Sequence, residues 1–166
     1  MATGQGGATE MNTAMQRALA AAEARCLRAG AQLTELRRQV LALVLEAEQP
    51  LGAYALLDRL KAQRPGAAPP TVYRALDFLL EQGLIHKVER LNAFVGCVEA
   101  EHDHGHHQHP PQFLICRTCG ATVELSDHAV AHALADAARR VGFQVANATV
   151  EVEGLCARCT EAAPAG

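Results

Sequence analysis

The sequence contains no tryptophan, and aromatic residues make up only 4% of its 166 residues. A core of large rings is therefore excluded, and the 49% of hydrophobic residues predicts a core of leucine, valine and alanine. No apolar run approaches the roughly 18 residues that a membrane-spanning helix needs, so no membrane association is expected. The first residues lack the basic and apolar regions of a secretory signal peptide, which predicts a cytoplasmic protein.

The chain also lacks the net positive charge that is typical of nucleic-acid-binding proteins, since its formal net charge is −3. The charges are unevenly distributed, however. Residues 25–74 contain eight basic and four acidic side chains, whereas residues 100–166 contain four basic and eight acidic ones. Such asymmetry is typical of a protein in which one half meets a polyanion. On charge alone, two ordinary solvated faces are the simpler interpretation.

Six cysteines without a secretory signal predict metal ligands rather than disulfides, because a reducing cytoplasm keeps thiols free. Four of them form two Cys-x-x-Cys pairs, Cys116 with Cys119 and Cys156 with Cys159. Each pair supplies two thiolates from a tight bend, and four thiolates complete a tetrahedral zinc site with no open position, which indicates a structural role. The 36 residues between the pairs predict a site that joins the first and last strands of a folded unit. A redox pair and disulfides are the alternatives.

Residues 12–97 have the pattern of a winged helix-turn-helix domain, and residues 1–11 are expected to be a disordered tail. Apolar residues at three- and four-residue spacing predict amphipathic helices. Thr34 and Thr71 are the expected N-caps of two of them, because threonine hydroxyls cap helix N-termini. The predicted helices cover residues 12–29, 33–45, 53–63 and 71–82, the last being the recognition helix. Two short β-like runs over residues 84–97 form the predicted wing.

A polar, histidine-rich stretch over residues 98–112 ends in two prolines and is predicted to be a hinge. Residues 113–160 predict a smaller α/β unit, followed by a tail over 161–166. Its expected strands cover 113–115, 121–125 and 143–152, and its expected helix covers 127–141. So small a unit buries little core, which predicts a metal staple or dimerisation. The predicted fold class is therefore α+β, with an N-terminal winged helix-turn-helix domain and a small dimerisation domain that holds the four-cysteine zinc site.

A second set of candidate ligands comprises His86, Cys97, His109 and Glu124. One thiolate, two imidazoles and one carboxylate fit tetrahedral zinc, and such a site would tie the wing to the second unit. From spacing alone, a surface histidine on the wing and a solvated glutamate are the simpler interpretation. The five histidines between residues 102 and 109 are typical of a loosely metal-binding tract or of a solvated loop.

Two further features concern predicted helices. His128 and His132 are spaced to share a metal ion, although a solvated helix face is the simpler interpretation. Tyr73 and Arg74 lie in the first turn of the predicted recognition helix, where side chains reach base edges in the major groove. Arginine can donate two hydrogen bonds to guanine, and a tyrosine ring can pack on a thymine methyl. The alternative places Tyr73 in the core and Arg74 on an ordinary surface.

The run from Pro69 to Glu89, with Cys116-x-x-Cys119-Gly and Gly-Leu-Cys156-x-x-Cys159, resembles the ferric uptake regulator family. It is most similar to the zinc uptake regulator branch of that family, and the resemblance covers about residues 20–160. The resemblance implies a homodimeric, zinc-sensing repressor. Its zinc-loaded dimers would bind AT-rich palindromic operators in double-stranded DNA and repress zinc uptake genes, with no small-molecule substrate.

The resemblance also implies roles for single residues, with two zinc ions per chain. The two Cys-x-x-Cys pairs match the structural zinc site, and the second set of candidate ligands matches the sensing site. Because the loop before Cys116 looks long and rich in histidine, His107 is an alternate for His109. Tyr73 and Arg74 match the base-contacting pair, and Thr71 beside them is the third predicted DNA-binding residue.

One departure from the branch concerns the contact between neighbouring dimers on DNA. Asp58 and Lys61 stand where the branch has an aspartate–arginine pair. A lysine cannot form the bidentate contact of an arginine, so cooperative loading of two dimers is not expected from this pair.

Three other functions compete with this prediction. An iron- or manganese-sensing member of the family is the nearest, and Cys97 disfavours it because a thiolate prefers zinc to harder ions. A zinc storage or chaperone protein would use the histidine tract. A zinc deaminase would need His-x-Glu and Pro-Cys-x-x-Cys, and neither occurs in the sequence, so no enzymatic activity is expected.

Overall fold

The computed structural model describes residues 6–97 and 110–162, with side chains from Thr13 onward. The chain forms two compact units that divide between Asp103 and His104, inside the stretch predicted as a hinge. His107 and His109 lie outside the described residues. Among the described helices, none is both long and apolar enough to cross a membrane.

The first unit consists of four helices and a two-stranded hairpin. The helices are α1 (Gly6–Arg28), α2 (Glu35–Leu45), α3 (Ala53–Gln63) and α4 (Pro69–Glu81), and the antiparallel strands are β1 (Ile85–Val88) and β2 (Ala93–Gly96). This order is that of a winged helix-turn-helix. α1 begins at Gly6, within the stretch predicted as a tail; once a helix is nucleated, each added residue costs little, so weak helix formers can extend it.

Leucine and valine fill the core of the first unit, as the shortage of aromatic residues predicted. Val40, Leu56, Leu60, Leu76 and Leu79 are all fully buried and come from α2, α3 and α4. Each helix therefore turns one apolar stripe inward. Arg37 lies on α2 with its guanidinium carbon 3.6 Å from the centre of the Phe78 ring, a cation–π contact that fastens α2 to α4.

The start of α4 differs from the prediction. Thr71 was the expected N-cap, but the N-cap is Ala68, and Pro69 and Pro70 occupy the first helical turn. Proline is favoured there because its missing N–H would have no partner in the helix and its φ angle is already helical. Tyr73 and Arg74 consequently lie in the second turn of α4, still close to its N-terminus.

The second unit is a three-stranded sheet with two helices. Its elements are β3 (Gln112–Cys116), β4 (Thr122–Leu125), α5 (His128–Arg140), β5 (Val150–Gly154) and α6 (Ala157–Glu161). β3 lies in the centre of the sheet, antiparallel to β4 and parallel to β5. The prediction of a strand over 143–152 was wrong in extent, because β5 is a strand only where β3 is beside it, and residues 143–149 are irregular.

The core of the second unit is very small. Among its described residues, only Gln112, Phe113, Ile115 and Cys116 are buried, and all four belong to β3. Burial of so few side chains contributes only a few kcal/mol at about 1.5–3 kcal/mol for each large apolar group. The unit therefore depends on a further source of stability, which a metal ion or a second copy can supply.

Candidate metal centre

The four cysteines of the two Cys-x-x-Cys pairs meet at one end of the sheet in the second unit. Cys116 is the last residue of β3, Cys119 lies in the following turn, Cys156 is the N-cap of α6, and Cys159 lies within α6. Their four Sγ atoms lie within 4.8 Å of one another. Residues that are 40 positions apart, Cys116 and Cys156, also share a hydrogen bond, from the backbone N–H of Cys156 to Sγ of Cys116 at 3.4 Å.

The parallel pairing of β3 with β5 brings the two cysteine pairs together. Cys116 is opposite Gly154, and the N–H of Arg117 donates to the carbonyl of Gly154 at 3.0 Å. Gly120 closes the first turn with a φ of +72°, a conformation that other residues adopt at a cost, and its N–H donates to the carbonyl of Cys116. The glycine after Cys119 is thus required by the bend that aims both thiols at one point.

The spacing of the sulfur atoms fits zinc and excludes a disulfide. Four sulfurs at about 2.3 Å from a tetrahedral zinc lie about 3.8 Å from one another. The Sγ atoms of Cys119 and Cys156 are 3.7 Å apart, whereas a disulfide bond needs about 2.05 Å. All six cysteines of the described residues are free thiols. The four-cysteine group therefore has the donor set and the dimensions of a closed structural zinc site.

The electrostatics of the four-cysteine group favour a bound cation. The backbone N–H of Cys119, and secondly that of Cys156, lower the pKa of Cys116 to about 6. The backbone N–H of Cys159 lowers the pKa of Cys156. Hydrogen bonds with the thiols of Cys156 and Cys119 raise the pKa of Cys159 to about 12. The lowered pKa values favour the thiolate form of Cys116 and Cys156, whereas ionisation of all four thiols requires a positive charge among them.

The first unit brings two of the predicted sensing ligands together. His86 lies on β1 and is half-buried, and Cys97 follows β2 and is buried. The hairpin pairing places β1 beside β2, and the N–H of Cys97 donates to the carbonyl of Leu84 at 3.1 Å. A ligand nitrogen of His86 and the Sγ of Cys97 consequently lie within 4.8 Å of each other. An imidazole and a thiolate at that separation can bind one zinc ion.

The other predicted sensing ligands belong to the second part of the chain. Glu124 is half-buried on β4, where it is opposite Phe113 of β3. His109 and its alternate His107 lie outside the described residues.

The predicted DNA-contacting residues lie on the outer face of α4. Tyr73 is 45% exposed and Arg74 is also exposed, whereas Val72 before them and Ala75 and Leu76 after them are buried. Thr71 is half-buried at the start of the same helix. The interpretation that Tyr73 belongs to the core is thereby excluded, and its ring and the Arg74 guanidinium are available to a ligand.

Helix α3 carries three exposed side chains of interest. Asp58 and Lys61, the predicted dimer–dimer residues, are both exposed. Tyr54, in the first turn, is 71% exposed and was not among the residues predicted to contact DNA. The sequence signal for Tyr54 is an aromatic residue in the first turn of a predicted helix, on the face away from its apolar stripe.

Comparison with known proteins identifies the family. The model of the ferric uptake regulator family matches residues 28–153. The chain belongs to the ferric uptake regulator family. The zinc uptake regulation protein of Escherichia coli K12 is 42% identical over 149 residues, which are 90% of this chain and 85% of that protein. The zinc uptake regulation protein of Mycobacterium tuberculosis is 31% identical over 134 residues, 79% of this chain and 96% of that protein.

Solved structures of family members agree with the fold of the chain. A zinc uptake regulator in complex with zinc and DNA has a TM-score of 0.82 and 40% identity, covering 89% of this chain and 96% of its own. The holo form of XcZur has a TM-score of 0.76 and 45% identity, covering 86% of this chain and 96% of its own. The predicted α+β fold class and the predicted family are therefore confirmed.

Proposed function

We propose that this protein is a zinc-responsive transcriptional repressor of zinc uptake genes. The observation that carries the proposal is the likeness, at 40% identity and over 89% of the chain, to a zinc uptake regulator that was solved with zinc and DNA bound. The four-cysteine group and the exposed face of α4 supply the chemistry that such a protein needs. The proposed place of action is the cytoplasm, and no catalytic activity is proposed.

Helix α4 is the proposed recognition helix. In helix-turn-helix proteins the N-terminal part of the second helix contacts base edges, and the preceding helix crosses the DNA backbone. Tyr73 and Arg74 are exposed near the N-terminus of α4, beside Thr71, and would read the operator. Tyr54 of α3 is positioned on the preceding helix, where its hydroxyl would donate to a phosphate.

Replacement of Arg74 by alanine is expected to weaken operator binding by about 5- to 150-fold, because one bidentate arginine–guanine contact contributes about 1–3 kcal/mol. The affinities of the parent and the variant are measured by competition between the operator and duplexes that carry single base changes. The matched control is Arg140→Ala, which removes the same charge from an exposed site in the second unit. Equal losses for both variants would mean that Arg74 acts only through the net charge of the protein.

Two zinc ions per chain are proposed, with different roles. The closed four-cysteine site would hold the structural ion. His86, Cys97 and Glu124 would hold the sensing ion, together with His109 or its alternate His107. A zinc ion at the second set would supply a link between ligands of the wing and ligands of the second unit. A mixed set with one thiolate prefers zinc to iron(II) or manganese(II), which supports a zinc sensor over the other metals.

A homodimer is proposed because the described residues leave one face of the sheet in the second unit exposed. Leu114 of β3 is opposite Val123 of β4 and Val152 of β5, so the three side chains form one row. Their exposures are 43%, 54% and 49%. A contiguous apolar row of this kind marks an interaction surface. A second copy presents the same row, and a twofold axis lets each copy cover the other.

The proposed mechanism is a shift in population between arrangements of the DNA-binding unit. Ligands from both units would restrict that unit, so that a dimer holds its two α4 helices at the spacing of a palindrome. Less conformational entropy is then lost when DNA binds, and affinity rises. Zinc and DNA would be coupled by typically 1–3 kcal/mol, which is about 5- to 150-fold in affinity. Asp58 and Lys61 would contribute little to contacts between dimers, because lysine lacks the bidentate geometry of arginine.

The test is a fluorescence-anisotropy titration of a labelled AT-rich palindromic duplex at several buffered concentrations of free zinc. With the structural site filled throughout, affinity is expected to rise by about 5- to 150-fold as free zinc increases, and sedimentation is expected to show a dimer. Affinity that rises with iron(II) or manganese(II) but not with zinc would favour another metal sensor. Several weak zinc ions per chain without operator binding would favour the storage or chaperone function.

A further inference from the structure

Helix α5 of the second unit has two distinct faces. Its large apolar residues, Val130 and Leu134, follow one stripe. His128, His132 and Asp136 are spaced by four residues and follow the opposite stripe, and all three are exposed. The two histidines therefore share one exposed face of the helix.

The first turn of α5 is held firmly in place. The side chain of Asp127, the N-cap, accepts a hydrogen bond from the N–H of Ala129 at 2.7 Å. The backbone carbonyl of Asp127 accepts another from Nε2 of Gln112 at 2.8 Å, and Gln112 is a buried residue of β3. A capped helix start that is tied to the central strand does not fray, so His128 keeps its position relative to His132.

Two histidines four residues apart on a formed helix are neighbours, with Cβ atoms about 5–6 Å from each other. Two imidazoles at this spacing on one helix face bind a single metal ion in known zinc sites. Both residues also interact with neighbouring groups within the chain. Each imidazole has two ring nitrogens, however, and a ligating histidine normally donates from the nitrogen that does not face the metal.

We propose that His128 and His132 form a third metal site, a surface chelate for a divalent ion of borderline hardness such as zinc or copper(II). The carboxylate of Asp136 is paired with Arg139 on the same helix, so the protein ligands are two imidazoles and water completes the coordination. Imidazole suits zinc, copper and nickel, and copper(II) binds most tightly in the usual order of divalent ions. Without a thiolate, this site fills after the two cysteine-containing sites. The inference is independent of the proposed function, since it concerns metal binding alone.

The test measures metal stoichiometry on the full chain after the cysteine-containing sites have been filled with zinc. Equilibrium dialysis against zinc, and separately against copper(II), compares the parent with two variants. His132→Ala removes one ligand. The double substitution His132→Ala with Ala133→His keeps the number of histidines but moves the second ring to the far side of the helix. Both variants are expected to bind one metal equivalent fewer than the parent with at least one of the two ions.

Equal stoichiometry and affinity in the parent and the double variant would overturn the proposal, because the histidine tract alone would then account for the bound metal. A second measurement needs no substitution. As copper(II) is added to the parent, the NMR signals of the His128 and His132 rings are expected to broaden together, at one equivalence point. Rings that broaden at different points, or not at all, would equally overturn a shared site. A response to copper(II) alone would identify copper as the ion that the site takes.

Discussion

Replacement of Cys156 by serine is expected to remove one zinc ion per chain and to unfold the second unit. Apparent binding free energies of structural zinc are about 10–16 kcal/mol at neutral pH, and this energy is available to the fold only while four ligands are present. The buried side chains of the second unit are few and belong to one strand. Burial on that scale cannot replace the contribution of the metal.

Cys156 is the most informative of the four ligands for this experiment. It is the N-cap of α6, and serine is a favoured N-cap residue, so the substitution retains the local helix start. A loss of folding in the second unit can then be attributed to the loss of the metal ion. Zinc content by native mass spectrometry and hydrogen exchange in residues 110–162 measure the two effects. Protection is expected to be lost across β3, β4 and β5 and kept in the first unit.

Cys26→Ser is the matched control for the loss of Cys156. Cys26 is a fully buried thiol of α1, and burial raises its pKa, so it remains a neutral side chain of the core. Its replacement is expected to destabilise the first unit by about 1–3 kcal/mol through the buried hydroxyl and to leave the zinc content unchanged. If Cys156→Ser retained the zinc content and the exchange protection of the parent, the four-cysteine group would not be a structural metal site.

The parts of the fold that follow from local chemistry were predicted closely. The predicted helix over 53–63 coincides with α3. Pro50 and Gly52 precede it and Pro65 follows it, and proline and glycine end helices through their own backbone properties, without help from distant residues. The four-cysteine site was predictable for a similar reason. Two Cys-x-x-Cys pairs identify the four zinc ligands from the sequence alone, whichever fold brings the pairs together.

The parts that depend on distant residues were predicted less well. β5 is a strand only where it pairs with β3, so the alternation of apolar residues over 143–152 overestimated its length. The five-residue helix α6 has no signal in the sequence beyond its cysteines. For the sensing site, spacing alone could not choose between a metal ligand and a solvated histidine at His86. The hairpin register, a nonlocal property, places His86 beside Cys97.

Replacement of Cys97 by serine is expected to abolish the response of DNA binding to zinc while leaving the structural zinc in place. The substitution removes the only thiolate from the proposed sensing set, and a hydroxyl is a far weaker zinc ligand. Operator affinity in the variant is expected to stay at the low level of the parent without sensing zinc. That affinity is about 5- to 150-fold weaker than the affinity of the zinc-loaded parent, which is the typical size of coupling between two ligands.

Cys26→Ser again serves as the control, because it makes the same exchange of sulfur for oxygen at a buried position in the same unit. The anisotropy titration is run on the parent and both variants at matched free zinc, with one structural zinc per chain verified in each. Cys26→Ser is expected to follow the parent curve. A Cys97→Ser protein that bound the operator at the same free zinc as the parent would show that Cys97 is a core thiol and that the sensing ligands lie elsewhere.

His86→Ala is expected to give the same result as Cys97→Ser, an operator affinity that does not change with free zinc. Either substitution leaves the wing with a single ligand, and a single ligand binds zinc too weakly to hold it.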